Sequence, residues 1–155
     1  MSRVIDTLII HCADTPNGRH FTADDIDDWH AERGWRRDEG ARLRYHPEHQ
    51  SIGYHWVIAV TGEIQAGRHT DEIGAHAHGH NERSIGICMI GKDRFTPAQW
   101  AALKTMVVRF QIQTAPPAVI GHRDVSPGKT CPGFDVAAWL AADMTPSPGH
   151  ILETP

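Results

Sequence analysis

Residues 122–133 place a histidine, a lysine and a cysteine close together in the chain, at His122, Lys129 and Cys131. The prolines and glycines of this segment are incompatible with a helix or a regular strand, so we predict a loop. Such a loop can direct several side chains at one point. Imidazole nitrogen and thiolate sulfur are common zinc ligands, and the lysine would add a fixed positive charge beside the metal.

A histidine and a cysteine alone make an incomplete zinc site, so a third ligand has to come from elsewhere. His11 is the candidate because it follows the apolar run 8–10 at the expected end of the first strand. Three protein ligands and an open fourth position are typical of a catalytic zinc site rather than a structural one. Taken one at a time, His11 would more simply be a hydrogen-bonded histidine, His122 a surface histidine and Cys131 a buried thiol.

The remaining cysteines and a histidine-rich segment are predicted to have no role in metal binding. Three cysteines, an odd number, do not indicate a disulfide framework and suit a reducing compartment. Cys12 should be a core thiol, because adjacent strand residues point in opposite directions, and Cys88 lies in an apolar run. His76, His78 and His80 would share a face of a strand, but the glycines around them favour a loop, so we predict no second metal site.

Length, composition and charge narrow the classes of protein. With 155 residues, of which 40% are hydrophobic and 22% charged, the chain should form one globular domain. A net charge of −4 argues against binding to nucleic acid or to an anionic membrane, since such proteins usually carry a basic face. No apolar stretch approaches the ~20 residues needed to span a bilayer. Asp6 lies where a signal peptide would be apolar, so we expect synthesis in the cytoplasm without a signal peptide.

The pattern of apolar residues predicts an α/β fold, a single domain with a mixed central β-sheet flanked by helices, over residues 1–144. Strands are predicted at 4–11, 54–60, 63–66, 84–90 and 119–120. Helices should begin after Thr22, which forms a capping box with Asp25, after Thr96, which precedes a proline and a glutamine, and after Asp135. We expect residues 36–52 to be a polar loop and the proline-containing tail 145–155 to be disordered.

Six further segments carry motifs that match a known family together with the loop. They are IIHCADT (9–15), WHAERGW (29–35), GYHWVI (53–58), GEIQAGR (62–68), GAHA with a following Asn81 (74–81) and SIGI (84–87). Through these motifs, which occur in the family's order over about residues 3–142, the chain resembles the zinc-dependent N-acetylmuramoyl-L-alanine amidases of the type-2 amidase family. That family is related to the peptidoglycan recognition proteins. The likeness is greatest to small bacteriophage endolysins. The main departure from the family pattern is the 36–52 loop, which is shorter in such relatives.

The resemblance implies an enzyme that hydrolyses the amide bond between N-acetylmuramic acid and L-alanine in peptidoglycan, with Zn²⁺ held by His11, His122 and Cys131. In that reaction Lys129 would stabilise the oxyanion of the tetrahedral intermediate, and Tyr54 would hold the attacking water or transfer its proton. Outside this context Tyr54 would be a packing aromatic in a strand, and Lys129 a solvated loop lysine.

The family also suggests that His76 and Asn81 line the substrate groove. Two alternative functions follow from the same resemblance: a peptidoglycan-binding protein that has lost catalysis, and an endolysin that also binds and regulates a phage RNA polymerase. A monomer is expected. Without a signal peptide, the enzyme would need a phage holin pore to reach the cell wall.

Overall fold

The computed structural model of the protein describes residues 3–153. The strands in this part are β1 Thr7–Cys12, β2 Trp56–Ile58, β3 Ile64–Ala66, β4 Ser84–Met89 and β5 Ala118–Gly121. The helices are α1 Ala23–Glu32, α2 Glu39–Arg44, α3 Pro97–Gln111 and α4 Val136–Ala141, and 3₁₀ turns occupy His122–Asp124 and Pro148–His150. None of the helices in these residues is long and apolar enough to cross a membrane.

The strands form one sheet in the order β3-β2-β4-β1-β5. Only β3 is antiparallel to its neighbour β2; the other pairs are parallel. Parallel strands are usually covered on both faces, and accordingly β4 is buried along its whole length and β1 over all but its first residue. The predicted mixed sheet flanked by helices is confirmed, with the strand predicted at 84–90 at its centre.

Each face of the sheet has its own core. On one face Leu8, Ile10 and Ile87 pack with Leu103 of α3 and Trp139 of α4. On the other face apolar residues of β2, β4 and α1 form a second cluster, which includes Val57, Cys88 and Ile26. Strand alternation puts Cys12 in the first core and turns His11 the other way. Cys12 and Cys88 are therefore the core thiols that the sequence predicted.

The helix starts predicted from capping residues are confirmed. The Thr22 side chain accepts the Asp25 amide hydrogen while the Asp25 carboxylate accepts from the Thr22 N–H, and Thr96 and Gln99 form the same reciprocal pair before α3. Asp135 caps α4. Helix α1 ends at Glu32, and Gly34 follows with a left-handed φ of 80°, a conformation that stops a helix.

Two of the strands are shorter than predicted by two or more residues. Strand β1 starts at Thr7, and Val4, which the prediction included, is 61% exposed. Strand β2 covers only Trp56–Ile58, because Tyr54 and His55 bond to residues 67, 68 and 86 outside the regular ladder and Ala59 begins a turn.

The segment 36–52 was predicted to be a loop, but it contains the helix α2. Asp38 caps this helix by accepting the Ala41 N–H. None of its residues is buried, so no apolar periodicity marked it in the sequence. Arg37 anchors the whole segment: its guanidinium forms a buried ion pair with Glu72 and donates to backbone carbonyls of residues 45, 46 and 49.

The tail differs from the predicted disordered segment, since residues 145–153 pack against the domain. Phe95 forms a bridge with Ile151, and its backbone bonds to the carbonyl of His150 and the N–H of Leu152. The Trp100 indole N–H donates to the same His150 carbonyl at 3.0 Å. Pro148, one of the prolines that suggested disorder, begins a 3₁₀ turn instead. Residues 154–155, which the prediction included, lie outside the described part of the chain.

Candidate metal centre

Two neighbouring parallel strands bring the candidate histidines together. Strands β1 and β5 are paired up to Ile10 and Gly121, so the next residues, His11 and His122, lie side by side just beyond this pairing, while His11 still pairs with β4. Their ring centroids are 4.6 Å apart. Both lie at the carboxyl ends of their strands, the edge at which ligands commonly bind in open α/β sheets.

The loop that follows β5 returns Cys131 to the same place. The Arg123 N–H donates to the Cys131 carbonyl at 2.8 Å, and the Asp124 carboxylate accepts the Gly121 N–H at 2.7 Å, so both ends of the loop are fixed. The Cys131 sulfur accepts the Cys12 N–H at 3.3 Å and lies 3.7 Å from His11 Nδ1. It is therefore held at the end of β1.

The three side chains form a set that fits a metal ion. One ligand atom from each of His11, His122 and Cys131 can be chosen so that all lie within 4.8 Å of one another, and no other such group occurs in residues 3–153. Ordinary zinc–nitrogen and zinc–sulfur bonds at a tetrahedral angle separate the two ligand atoms by about 3.6 Å. The 3.7 Å between His11 Nδ1 and Cys131 Sγ matches this value.

Burial prepares the imidazoles as ligands. It lowers the pKa of His11, which is 1% exposed, well below its usual value, and the neighbouring His76 and His122 lower it further. Burial, helped by Lys129, also lowers the pKa of His122. Both rings are therefore neutral at neutral pH, the form that binds a metal.

Unlike the imidazoles, which bind a metal in the neutral form that burial favours, the Cys131 thiol must lose its proton to bind one. The hydrogen bond with Cys12 and then burial raise the pKa of Cys131, so the protein alone favours the protonated thiol. A thiolate at this position needs a cation next to it. A divalent metal held by the two neutral imidazoles would provide that charge.

Tyr54 lies against the first of these histidines. Its ring centroid is 4.9 Å from that of His11 and 5.4 Å from that of His30. Burial, together with nearby thiols, raises the pKa of the Tyr54 phenol well above 10. Its hydroxyl therefore keeps its proton and can act as a hydrogen-bond donor.

Lys129 is exposed and lines an open cavity of about 350 Å³ next to His122. The same cavity is lined by Trp35, His76 and Asn81. The Asn81 side-chain oxygen accepts the backbone N–H groups of residues 76 and 77, both at 2.9 Å, so it shapes the wall. The structure therefore groups the three candidate ligands with Tyr54 beside His11, and it places Lys129, His76 and Asn81 on the wall of the cavity next to His122.

A larger cavity, of about 500 Å³, lies beside α2 and contains none of the candidate metal ligands. We place the candidate site at the smaller cavity because His122, one of the three candidate metal ligands, lines it. Sequence reasoning did not assign a role to Trp35, although it belongs to one of the quoted motifs. Its ring lies 4.5 Å from that of His30 and forms part of the cavity wall.

Comparisons with known proteins agree with this geometry. A family model described as N-acetylmuramoyl-L-alanine amidase matches residues 1–134. The endolysin of Klebsiella phage KP32 is 32% identical over 140 residues, which are 85% of this chain and 83% of the relative.

Solved structures show the same fold. The N-acetylmuramoyl-L-alanine amidase LysC from Clostridium intestinale superimposes with a TM-score of 0.70 at 25% identity, covering 92% of this chain and 88% of the other. A Drosophila PGRP-LB variant in complex with tracheal cytotoxin gives a TM-score of 0.66 at 26% identity, covering 99% and 86% of the two chains. The family match includes all three candidate metal ligands.

Proposed function

Because the chain belongs to the N-acetylmuramoyl-L-alanine amidase family, we propose that its reaction takes place at His11, His122 and Cys131, and that the metal they hold is zinc. The chain is an amide hydrolase of peptidoglycan, and the bond cleaved joins N-acetylmuramic acid to L-alanine. The observation that carries the proposal is the convergence of three ligand atoms within 4.8 Å, beside an open cavity.

Zinc suits this set of ligands. Two imidazoles and a thiolate without a fourth protein ligand leave a coordination position for water or substrate. When bound, zinc would lower the pKa of its water toward ~7 and polarise the carbonyl of the scissile amide. With one thiolate and two neutral rings, the ligands leave a net charge near +1 at the centre.

We propose that Lys129 stabilises the oxyanion of the tetrahedral intermediate. Attack on the amide carbonyl turns its oxygen into an anion, and a cationic side chain placed at that oxygen lowers the barrier. Lys129 lies on the same loop as Cys131 and lines the cavity next to His122. Its ammonium group can therefore approach a substrate carbonyl in the cavity without being a metal ligand.

We propose that Tyr54 holds the attacking water. Because its pKa is raised well above 10, the phenol is a donor and not a base at neutral pH. The Tyr54 ring lies beside the His11 ring, and its neutral hydroxyl would hold the water or the developing oxyanion through a hydrogen bond. This favours the first of the two roles expected from the sequence, holding water, over removal of its proton.

The substrate would occupy the cavity that reaches from Lys129 to Trp35. His76 and Asn81 form part of its wall, and the polar atoms of Asn81 are used to shape the backbone there. A non-catalytic peptidoglycan-binding protein is the weaker interpretation. All three ligands, with Tyr54 and Lys129, are present and lie together, which binding alone would not need.

The endolysin relatives suggest the biological setting. We propose that the chain is an endolysin of a phage or prophage that cleaves the host cell wall after the membrane has been permeabilised. The monomeric state and binding to a phage RNA polymerase stay predictions from the resemblance. Light scattering of the purified chain tests the first, and titration with the purified polymerase tests the second.

Metal analysis combined with product analysis tests the main proposal. We expect one equivalent of zinc per chain and release of free L-alanine amino termini from purified peptidoglycan. New reducing sugar ends would identify a glycosidase and overturn the assignment of the bond. A different bound metal, with the same products, would overturn only the assignment of zinc.

A further inference from the structure

The His11 ring makes a second contact on the side away from Cys131. Its Nε2 lies 2.9 Å from Nδ1 of His76, and the two rings meet edge to face with an interplanar angle of 88°. His76 is 8% exposed, so this contact is shielded from water. A hydrogen bond between two neutral imidazoles has a direction, because one nitrogen must carry the proton and the other must not.

Ser84 determines that direction. Its hydroxyl oxygen lies 2.7 Å from the backbone carbonyl of His80, and a carbonyl can only accept, so the single hydroxyl hydrogen points at His80. The same Ser84 oxygen lies 3.3 Å from His76 Nε2. It has no hydrogen left for that contact. His76 Nε2 must therefore carry a proton and donate it.

The proton positions then follow along the chain of contacts. A neutral His76 with its proton on Nε2 presents a lone pair on Nδ1. His11 Nε2 must donate to that lone pair, so the lone pair of His11 lies on Nδ1. This is the atom 3.7 Å from the Cys131 sulfur, on the side of the metal-binding group.

The backbone of β4 leaves room for the His76 ring at this position. A Cβ built on Gly86 would lie 2.6 Å from Cγ of His76 and 2.7 Å from its Cδ2. No side chain larger than hydrogen fits there unless the ring moves. The ring is thus seated on the strand and bonded at both nitrogens, to His11 and to Ser84.

We propose that His76 is a positioning residue, which together with Ser84 holds His11 in the tautomer and orientation that direct Nδ1 at the metal. The inference rests on the proposed zinc centre and adds to it the partner on the other nitrogen of the imidazole. Such partners fix the ring and increase its basicity as a ligand. The role differs from substrate binding, since both ring nitrogens of His76 are engaged within the protein.

The first test determines the tautomers directly, in wild-type protein labelled with ¹⁵N at histidine. Two-bond ¹H–¹⁵N correlation spectra show which ring nitrogen carries the proton. We expect Nε2–H for both His11 and His76, in the zinc-free and in the zinc-loaded protein. A proton on Nδ1 of His11 in the zinc-free protein would overturn the inference, whether or not the chain binds zinc.

The second test measures zinc affinity by competition with a chromogenic chelator. His76→Leu removes the acceptor and should weaken zinc binding about 10–100-fold. His76→Asn should recover part of this loss, because its side-chain oxygen branches from Cγ where Nδ1 does and can still accept from His11. His78→Leu, an exposed change in the same segment, is the matched control and should bind zinc like the wild type.

The outcomes separate the two proposals. If the wild type binds no zinc, the zinc centre is wrong, and the tautomer measurement still decides the role of His76. If the wild type binds zinc and His76→Leu binds it equally well, only the positioning role is wrong. If His76→Asn is as weak as His76→Leu, the ring acts through packing and not as an acceptor. If His76→Leu does not fold, the spectra of the wild type remain decisive.

Discussion

At the scale of single residues, Cys131 is the proposed ligand whose protonation state should depend most on the metal. Its pKa is raised by the hydrogen bond with Cys12 and by burial, so a thiolate there would need a metal beside it. We expect Cys131→Ala to lose zinc and hydrolysis together. Cys88→Ala, which removes a thiol from the core, should retain one zinc and lose only ~1–2 kcal/mol of stability. Metal content and thermal unfolding of the two variants check this, and zinc retained by Cys131→Ala would show that Cys131 is not a ligand.

Lys129 should affect turnover and not the metal. Because the charge it stabilises develops only in the transition state, Lys129→Ala should reduce kcat by ~10²–10³ with little change in KM or zinc content. Lys104→Ala, an exposed lysine on α3, is the matched control and should leave all three unchanged. A Lys129→Ala variant with raised KM and normal kcat would move this lysine from catalysis to substrate binding.

Tyr54→Phe should also reduce kcat, although less, because it deletes one hydroxyl and keeps the ring beside His11. Since the pKa of the phenol is raised well above 10, the hydroxyl stays protonated across neutral and mildly alkaline pH. The ratio of wild-type to Tyr54→Phe turnover should therefore be constant between about pH 7 and 9. A ratio that falls toward one within this range would mean that the phenol ionises there and that its pKa is not raised.

At the scale of secondary-structure elements, His55 joins three parts of the fold. Its Nδ1 accepts the Gly86 N–H from β4 at 3.0 Å, and its Nε2 lies 2.8 Å from the Glu72 carbonyl. Burial lowers the pKa of His55 from 6.5 to about 4. The unfolded chain therefore takes up a proton as the pH falls through about 6.5, whereas the folded chain does not, and stability is lost down to about pH 4.

This single residue can account for a loss on the order of 3 kcal/mol between those pH values. Unfolding of zinc-free protein at pH 7, 6 and 5 should show the decline, and the slope should be smaller in His55→Gln. His30, whose pKa burial also lowers to about 4, adds to the wild-type slope and remains in that variant. An unchanged slope in His55→Gln would exclude His55 as a source of the acid sensitivity.

At the scale of the whole molecule, the last residues complete the domain. Residues 150–152 make three hydrogen bonds to Phe95 and Trp100, two through the Phe95 backbone and one from the Trp100 indole. Each such bond contributes about 1 kcal/mol net. A chain that ends at residue 144 should therefore lose about 3 kcal/mol of stability and unfold several degrees lower than the full chain. Equal melting temperatures for the 144-residue chain and the full chain would show that the tail is not part of the stable fold.

Local signals in the sequence were sufficient to predict the main elements and to single out the candidate metal ligands. Thr22, Thr96 and Asp135 marked helix starts because capping depends on residues at most three positions away. The apolar run at 84–90 marked the central strand, because a strand buried on both faces has to be apolar throughout. His122 and Cys131 were found together because one short loop carries both.

Other features depended on contacts between distant parts of the chain, which no local pattern encodes. Helix α2 buries none of its residues and is held by Arg37 and Glu72, and the tail is held by the core residues Phe95 and Trp100. The sequence by itself, with its resemblance to the amidases, singled out the side chains that we propose bind a metal and catalyse amide hydrolysis. Only the tertiary structure decided their geometry, because the pairing of β1 with β5 and the ring seated on Gly86 join residues that lie far apart in the chain.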